Sequence, residues 1–133
     1  MSADIERELD RTTQMRGFRY GLHDFWAQLR GAETLKKVND RLEDRYQMKG
    51  VLDRKTMELV TLTALVAQKE RVSHIQVHMH AAHKAGATPE EILEVIEVVS
   101  SQIGNVAKIC GLEAWRVTFR PDIPTIDRVV ELR

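Results

Sequence analysis

No proline occurs before Pro89, and the other two, Pro121 and Pro124, lie near the C-terminal end. Proline ends or kinks a helix because it lacks an N–H donor and clashes with the preceding turn, so the first 88 residues can be helical with few breaks. Nothing alternates with period two for long enough to read as a strand. The pattern predicts an all-α fold, a compact helical domain of about six to seven helices spanning 1–133 as one domain.

The helices can be placed by their starts and stops. Ile5 to Met15 is charged and weakly amphipathic. After Gly17 and Gly21, Phe18, Leu22, Phe25, Trp26 and Leu29 recur at helical spacing, and Gly31 ends that run. A helix from Ala32 to Met48 is expected to bury Leu35, Val38, Leu42 and Tyr46, with Gly50 stopping it. Asp53 is a helix N-cap, and Met57 to Ala67 is apolar nearly all round, which predicts burial on most sides. Glu58 is the exception in that run. The next helix runs from about Arg71 to Ala85, with Gly86 as its C-terminal cap. Thr88-Pro89-Glu90-Glu91 then has the form of a capping box with proline in the first turn, and Ile92, Val95, Ile96 and Val99 follow on one stripe. Gly104 breaks that helix, Asn105 is expected to cap a last one through Trp115, and the tail from Pro121 is expected to end in a short helix reaching Val130 or beyond.

Twenty basic residues offset twenty acidic ones, so the formal net charge is zero and a nucleic-acid partner has no electrostatic support. Neutrality also lowers the self-repulsion that opposes self-association. One cysteine, Cys110, rules out an intramolecular disulfide. The first residues carry no apolar run of the kind a signal peptide needs, and no stretch approaches the length of a membrane span, so the expected location is the cytoplasm, away from any membrane.

Four of the five histidines fall in one segment, Arg71-Val72-Ser73-His74-Ile75-Gln76-Val77-His78-Met79-His80-Ala81-Ala82-His83. On a helix, Val72, Ile75, Met79 and Ala82 make the core face, and His74 and His78, at i and i+4, lie together on one flank beside Arg71. His80 and His83 lie on the other flank and toward solvent, so one helix cannot gather all four around one ion. Two histidines one turn apart are good metal ligands. Helical zinc motifs of that spacing usually carry a catalytic Glu between the two, whereas Ile75, Gln76 and Val77 stand here. A polar pocket built on His74 and His78 is the favoured reading, since imidazole titrates near neutrality and serves as acid or base.

The stretch from Leu52 to Trp115 resembles the carboxymuconolactone decarboxylase family, which includes the alkylhydroperoxidase D-like proteins. The resemblance is carried by Met57-Glu58-Leu59-Val60 opening a buried helix, His78 followed by Ala81-Ala82, then Gly86-Ala87-Thr88-Pro89-Glu90-Glu91-Ile92, and later Gly104-Asn105. It implies an alkylhydroperoxidase D-like helical fold with a central antiparallel helical hairpin, assembled as a homotrimer or homohexamer. The peroxidase branch of that family has a Cys-x-x-Cys ahead of its histidine. If His78 is that histidine, the two cysteine positions fall on Arg71 and His74, and disulfide cycling is lost. The decarboxylase branch lacks those cysteines, and His78 and Glu58 match its histidine and its acidic residue.

Three readings follow. The first is an enzyme of decarboxylase or lyase type, without a cofactor, acting on a small carboxylated lactone or keto compound. In it His78 is the acid or base, His74 and Glu58 share the catalytic pocket, Arg71 holds a substrate carboxylate, and Trp26 lines the substrate site. The second is a divalent-metal site on His74 and His78, completed by Glu58 or His23. The third is a non-catalytic oligomeric binding module that keeps the fold without the chemistry. Simpler roles compete for single residues. Glu58 could complement a helix dipole, Arg71 could be a surface cation, Cys110 a small buried residue, and Tyr20, Phe25, Trp26 and Trp115 core or interface aromatics.

Overall fold

The structure is a computed structural model and describes residues 2–47 and 50–133. Among the described residues there are six helices and no strand: α1 Ala3–Arg16, α2 Gly21–Tyr46, α3 Arg54–Ala67, α4 Val72–Lys84, α5 Pro89–Ile103 and α6 Asn105–Phe119. They form two compact units, Met1–Val51 and Leu52–Arg133. None of these helices is long and apolar enough to cross a membrane.

The first unit is a pair of helices, α1 against α2. Ser2 caps α1 by accepting from the Ile5 N–H, and Gly17 closes it in the left-handed conformation at φ 82°. Leu9, Ala27 and Leu35 form a small apolar centre. The rest of the buried contact is polar. Thr12 and Asn39 are fully buried and Glu8 nearly so. Gly31 takes φ 79° and ψ −170°, which are not helical, so the first arm of α2 stops there as expected and α2 is two helices joined across a kink. The expected helix from Ala32 accordingly begins as the second arm of α2, and its last residue, Met48, lies outside the described residues.

The second unit holds the larger core, built from Leu62, Val66, Ile75, Met79, Ile92, Ile96, Ala107 and Ala114 among others. Small residues let helices approach closely. An added Cβ at Gly111 of α6 would stand only 3.0 Å from Ile96 Cγ2 and 3.2 Å from Val66 Cγ1. Caps fix the helix ends. Asp53 accepts from the Thr56 N–H at 2.7 Å, and Thr88 and Glu91 exchange hydrogen bonds of 3.1 and 3.0 Å in a complete capping box.

The turns on both sides of α4 share one form. After α3, Lys69 takes φ 55°. There the Lys69 N–H donates to Val66 and the Glu70 N–H to Leu65. After α4, Gly86 takes φ 104°. Its N–H donates to His83, and the Ala87 N–H donates to Ala82. Both are Schellman endings, which satisfy the last carbonyls and reverse the chain. A reversal this short makes α3 and α4 an antiparallel hairpin, as the family resemblance implied.

Two expectations for the C-terminal half are corrected. Asn105 is the first residue of α6 and not its cap. Gly104, at φ 99° and ψ −175°, is at once the C-cap of α5 and the N-cap of α6, a conformation open to glycine and not to asparagine. The tail from Pro121 contains no helix, and every residue of it is exposed. Arg116 and Glu113 of α6 bind its backbone, with Arg116 Nη1 donating to the Ile123 carbonyl at 2.5 Å and the Ile126 N–H donating to Glu113 at 3.3 Å. These contacts tie the segment to α6 at Ile123 and Ile126.

Candidate functional site

Helix α4 buries Ile75, Met79, Ala81 and Ala82, close to the core face expected from its periodicity. That register turns one flank toward α3. His74 and His78 lie on it with ring centroids 5.0 Å apart, edge to face. Across the hairpin stands Glu58, whose Oε2 lies 4.0 Å from His78 Nδ1.

These two groups are buried without being satisfied. The side chains of Glu58 and His78 are 4% and 15% exposed. Neither Glu58 Oε2 nor His78 Nδ1 has a hydrogen-bond partner among the described residues. A buried carboxylate oxygen and a buried imidazole nitrogen normally find partners, because leaving one unmade costs about 1–3 kcal/mol or more. At 4.0 Å the two are too far apart to bond directly and close enough for one oxygen or one proton-bearing atom to bridge them. Glu58 is also the fifth residue of α3, past the first turn. The helix dipole acts mainly within that first turn, so complementing it does not account for Glu58.

The other expected residues are placed differently. Arg71 precedes α4 at its N-cap with a side chain 85% exposed, and pairs with Glu70 at 3.6 Å. The Glu70 carboxylate accepts from the Arg71 N–H, which holds its pKa below the usual carboxylate range. Trp26 lies on α2 in the first unit, half-buried, edge to face with the exposed Phe25 at 5.4 Å. Trp115 is a core aromatic whose indole N–H donates to the Pro89 carbonyl at 2.7 Å. The histidines on the opposite flank, His80 and His83, are both exposed on the surface, as expected. His83 Nδ1 also donates to the Ala87 carbonyl at 2.9 Å and its ring meets Phe119 at 5.5 Å, beside the turn after α4.

For a metal, no three His, Cys, Asp or Glu side chains among the described residues converge as a ligand set, His74, His78 and Glu58 included. His23, the other ligand considered, belongs to the first unit. There Arg16 Nε donates to its Nε2 at 3.2 Å, and burial, aided by the Arg16 charge, pushes its pKa down to about 4. The single thiol, Cys110 on α6, donates to the Glu70 carbonyl at 2.9 Å, and burial raises its pKa. A thiol made less acidic in this way is a poor nucleophile.

Sequence reasoning missed the polar interior of the first unit. Asn39 sits in the apolar register of α2, four residues after Leu35 and three before Leu42. A polar residue at a core position was the available signal that α1 had to supply a polar partner.

No curated protein and no solved structure matches the chain. The family description that matches is that of the carboxymuconolactone decarboxylase family, over residues 32–116, which takes in most of α2, the hairpin of Glu58 and His78, α5 and nearly all of α6. With well over half of its length matched, and with the all-α architecture that the family motifs implied, the chain belongs to the carboxymuconolactone decarboxylase family.

Proposed function

We propose that this protein is a decarboxylase-type lyase that applies histidine acid–base chemistry to a small carboxylated lactone or keto compound. The observation that carries the reading is the pair Glu58 Oε2 and His78 Nδ1, buried, 4.0 Å apart and unsatisfied. Unsatisfied buried groups concentrate where a reacting molecule completes them. A small movement would let His78 Nδ1–H donate to Glu58, fixing the tautomer and leaving Nε2 to exchange a proton with substrate. His74, edge-on to His78, restricts the ring's orientation.

The balanced step is short. In a substrate whose carboxylate lies β to a carbonyl, the bond to the carboxylate carbon breaks and carbon dioxide leaves. The electron pair passes into the carbonyl system as an enolate. Protonated His78 then delivers its proton to carbon and recovers one from solvent.

The reading treats 1–133 as one functional domain in the cytoplasm, requires no cofactor, and takes a homotrimer or homohexamer from family membership. Exposed Val60, Val98 and Val106 in the second unit are suited to contacts between copies. Thiol peroxidase chemistry is disfavoured, because the positions matching the family's cysteines hold Arg71 and His74.

The test is carbon dioxide release from a panel of β-keto acids and small lactone carboxylates. His78→Gln is expected to lower kcat by about 10²–10⁴-fold, the usual contribution of a general acid or base. Turnover by the variant equal to that of the parent protein, or no turnover of any panel member by the parent, overturns the proposal.

A further inference from the structure

Two features of the second unit have no use in the acid–base pair: an open apolar groove and an exposed apolar tail. The groove lies between α3 and α5 and holds about 340 Å³. Leu59, Val95 and Val99 are its covered residues, Thr63 and Val98 its exposed ones. Two carboxylates also line it. Glu91 is engaged, pairing with Lys55 at 2.7 Å and completing the capping box of α5. Glu94 is exposed, and its side chain has no hydrogen bond or ion pair among the described residues. The groove therefore presents one free negative charge beside an apolar strip. Glu94 and Val98, at i and i+4, are separated by about 6 Å along the helix axis.

The tail supplies the complement. Its last tie to α6 is the Ile126 N–H to Glu113. Residues 127–133 beyond it are all exposed, Val130 by 78% and Leu132 by 90%. In an extended chain alternate side chains share one edge and stand about 7 Å apart. Arg128, Val130 and Leu132 then make such an edge, a cation followed by two apolar groups. The Arg128 side chain has no hydrogen bond or ion pair among the described residues either. The step from Arg128 to Val130 is close to the step from Glu94 to Val98, so one charge and one apolar contact can be met together. Extended, this segment reaches about 23–25 Å from its tie to α6.

Within its own chain, none of residues 127–133 lines the groove. Zero net charge leaves no long-range repulsion between two copies. We propose that residues 128–132 of one copy dock in the α3–α5 groove of a second copy, with Arg128 against Glu94 and with Val130 and Leu132 over Leu59, Val95 and Val98. The ion pair sets direction and register. Burial of the two apolar side chains supplies most of the affinity, because an exposed ion pair alone contributes little. The two surfaces differ, so the contact closes as a reciprocal exchange or as a ring. It involves none of Glu58, His74 and His78, and stands whether or not the acid–base reading does.

The test is cross-linking between copies in a Cys110→Ser background, which removes the single native thiol. Full-length chains carrying Val98→Cys or Val130→Cys, with tags of different length, are co-expressed and treated with a short bismaleimide. Both positions are exposed, so neither substitution disturbs the core. The expected product is the mixed pair, Val98→Cys joined to Val130→Cys. Its yield should fall about tenfold when the Val98→Cys chain also carries Glu94→Arg, because like charges then meet, and recover when the other chain carries Arg128→Glu. Leu132→Asp on the Val130→Cys chain should lower the yield as well. No mixed pair, a mixed pair that Glu94→Arg leaves unchanged, or cross-links only between two Val98→Cys chains overturns the proposal. So does a chain with both cysteines that closes on itself while the mixture gives no mixed pair, since the tail then fills its own groove.

Discussion

Asn39 of α2 reaches across to α1 and donates to both the backbone and the side chain of Glu8, at 2.9 Å to the carbonyl and 3.0 Å to Oε2. Its own carbonyl accepts from the Thr12 hydroxyl at 2.5 Å. Arg11 extends the network, binding Glu8 at 3.2 Å and Asp40 at 2.8 Å together with Glu43. The first unit is therefore held by a satisfied polar cluster as much as by apolar packing. Asn39→Ala removes the partner of a buried carboxylate and should cost about 2–4 kcal/mol of stability. Chemical denaturation of the variant checks this, and a loss below about 0.5 kcal/mol would show the cluster to be dispensable.

The buried His23 predicts a pH dependence. Its pKa falls from the ordinary 6.5 to about 4 in the folded chain. An unfolded chain therefore binds a proton on this residue between those values and the folded chain does not. Stability from this group is complete above about pH 6.5, is lost as pH drops toward 4, and changes no further below that. The full loss is on the order of 2–3 kcal/mol. Unfolding of the parent and of His23→Phe, followed from pH 7.5 to 4, should diverge in slope within that window and run parallel above it.

Glu113 shows the same sign by a different cause. The Arg116 guanidinium, with help from the Ile126 N–H and Thr125, lowers its pKa to about 2 from 4.5. Its contribution is thus present above about pH 4.5 and disappears as pH falls toward 2. Its side chain is 19% exposed, and partly solvated pairs of this kind contribute about 1 kcal/mol or less. The sharper readout is local. Glu113→Gln should speed amide exchange at Ile126, while exchange in the α3–α4 hairpin stays as it was.

Gly111 tests the packing of the second unit. Alanine is favoured over glycine in a helix by about 1 kcal/mol. Here its methyl group would press on Ile96 and Val66, which are 1% and 0% exposed and have nowhere to move. Overpacking of that kind typically costs about 1–3 kcal/mol, so Gly111→Ala should be neutral to destabilising in a thermal melt. A rise in melting temperature would mean that α5 and α6 separate more easily than their contact suggests.

Much of this architecture was legible because it depends on local signals. The capping box at Thr88 and Glu91, the Asp53 cap and the glycine after α4 are short-range chemistry, and each acts where the sequence placed it. The core face of α4 followed from spacing alone, and so did the pairing of His74 with His78. The partnership of His78 with Glu58 needed the hairpin reversal, which motif resemblance supplied and periodicity did not. Arg71 was favoured because it shares a helix flank with the histidines. The backbone at the N-cap directs its side chain outward, and no helical wheel extends to that position. Asn105 was given the cap because asparagine is a good one. The junction instead required a backbone conformation that glycine alone adopts easily. The expected tail helix had an apolar sequence in its favour but no core to bury against, and its backbone bonds to Arg116 and Glu113 of α6 instead.

The two left-handed turns around α4 make the catalytic candidate sensitive to length as well as composition. Between them, the histidine helix has its rotation about its own axis set by the number of residues from Ala67 to Val72. Each residue of an α-helix advances about 100°. One residue inserted at the Lys69 turn would swing either the imidazole of His78 or the core residues Ile75 and Met79 out of alignment with α3. The chain would keep every side chain it needs and lose their facing, so relatives that keep this chemistry should vary in the composition of that turn while holding its length constant.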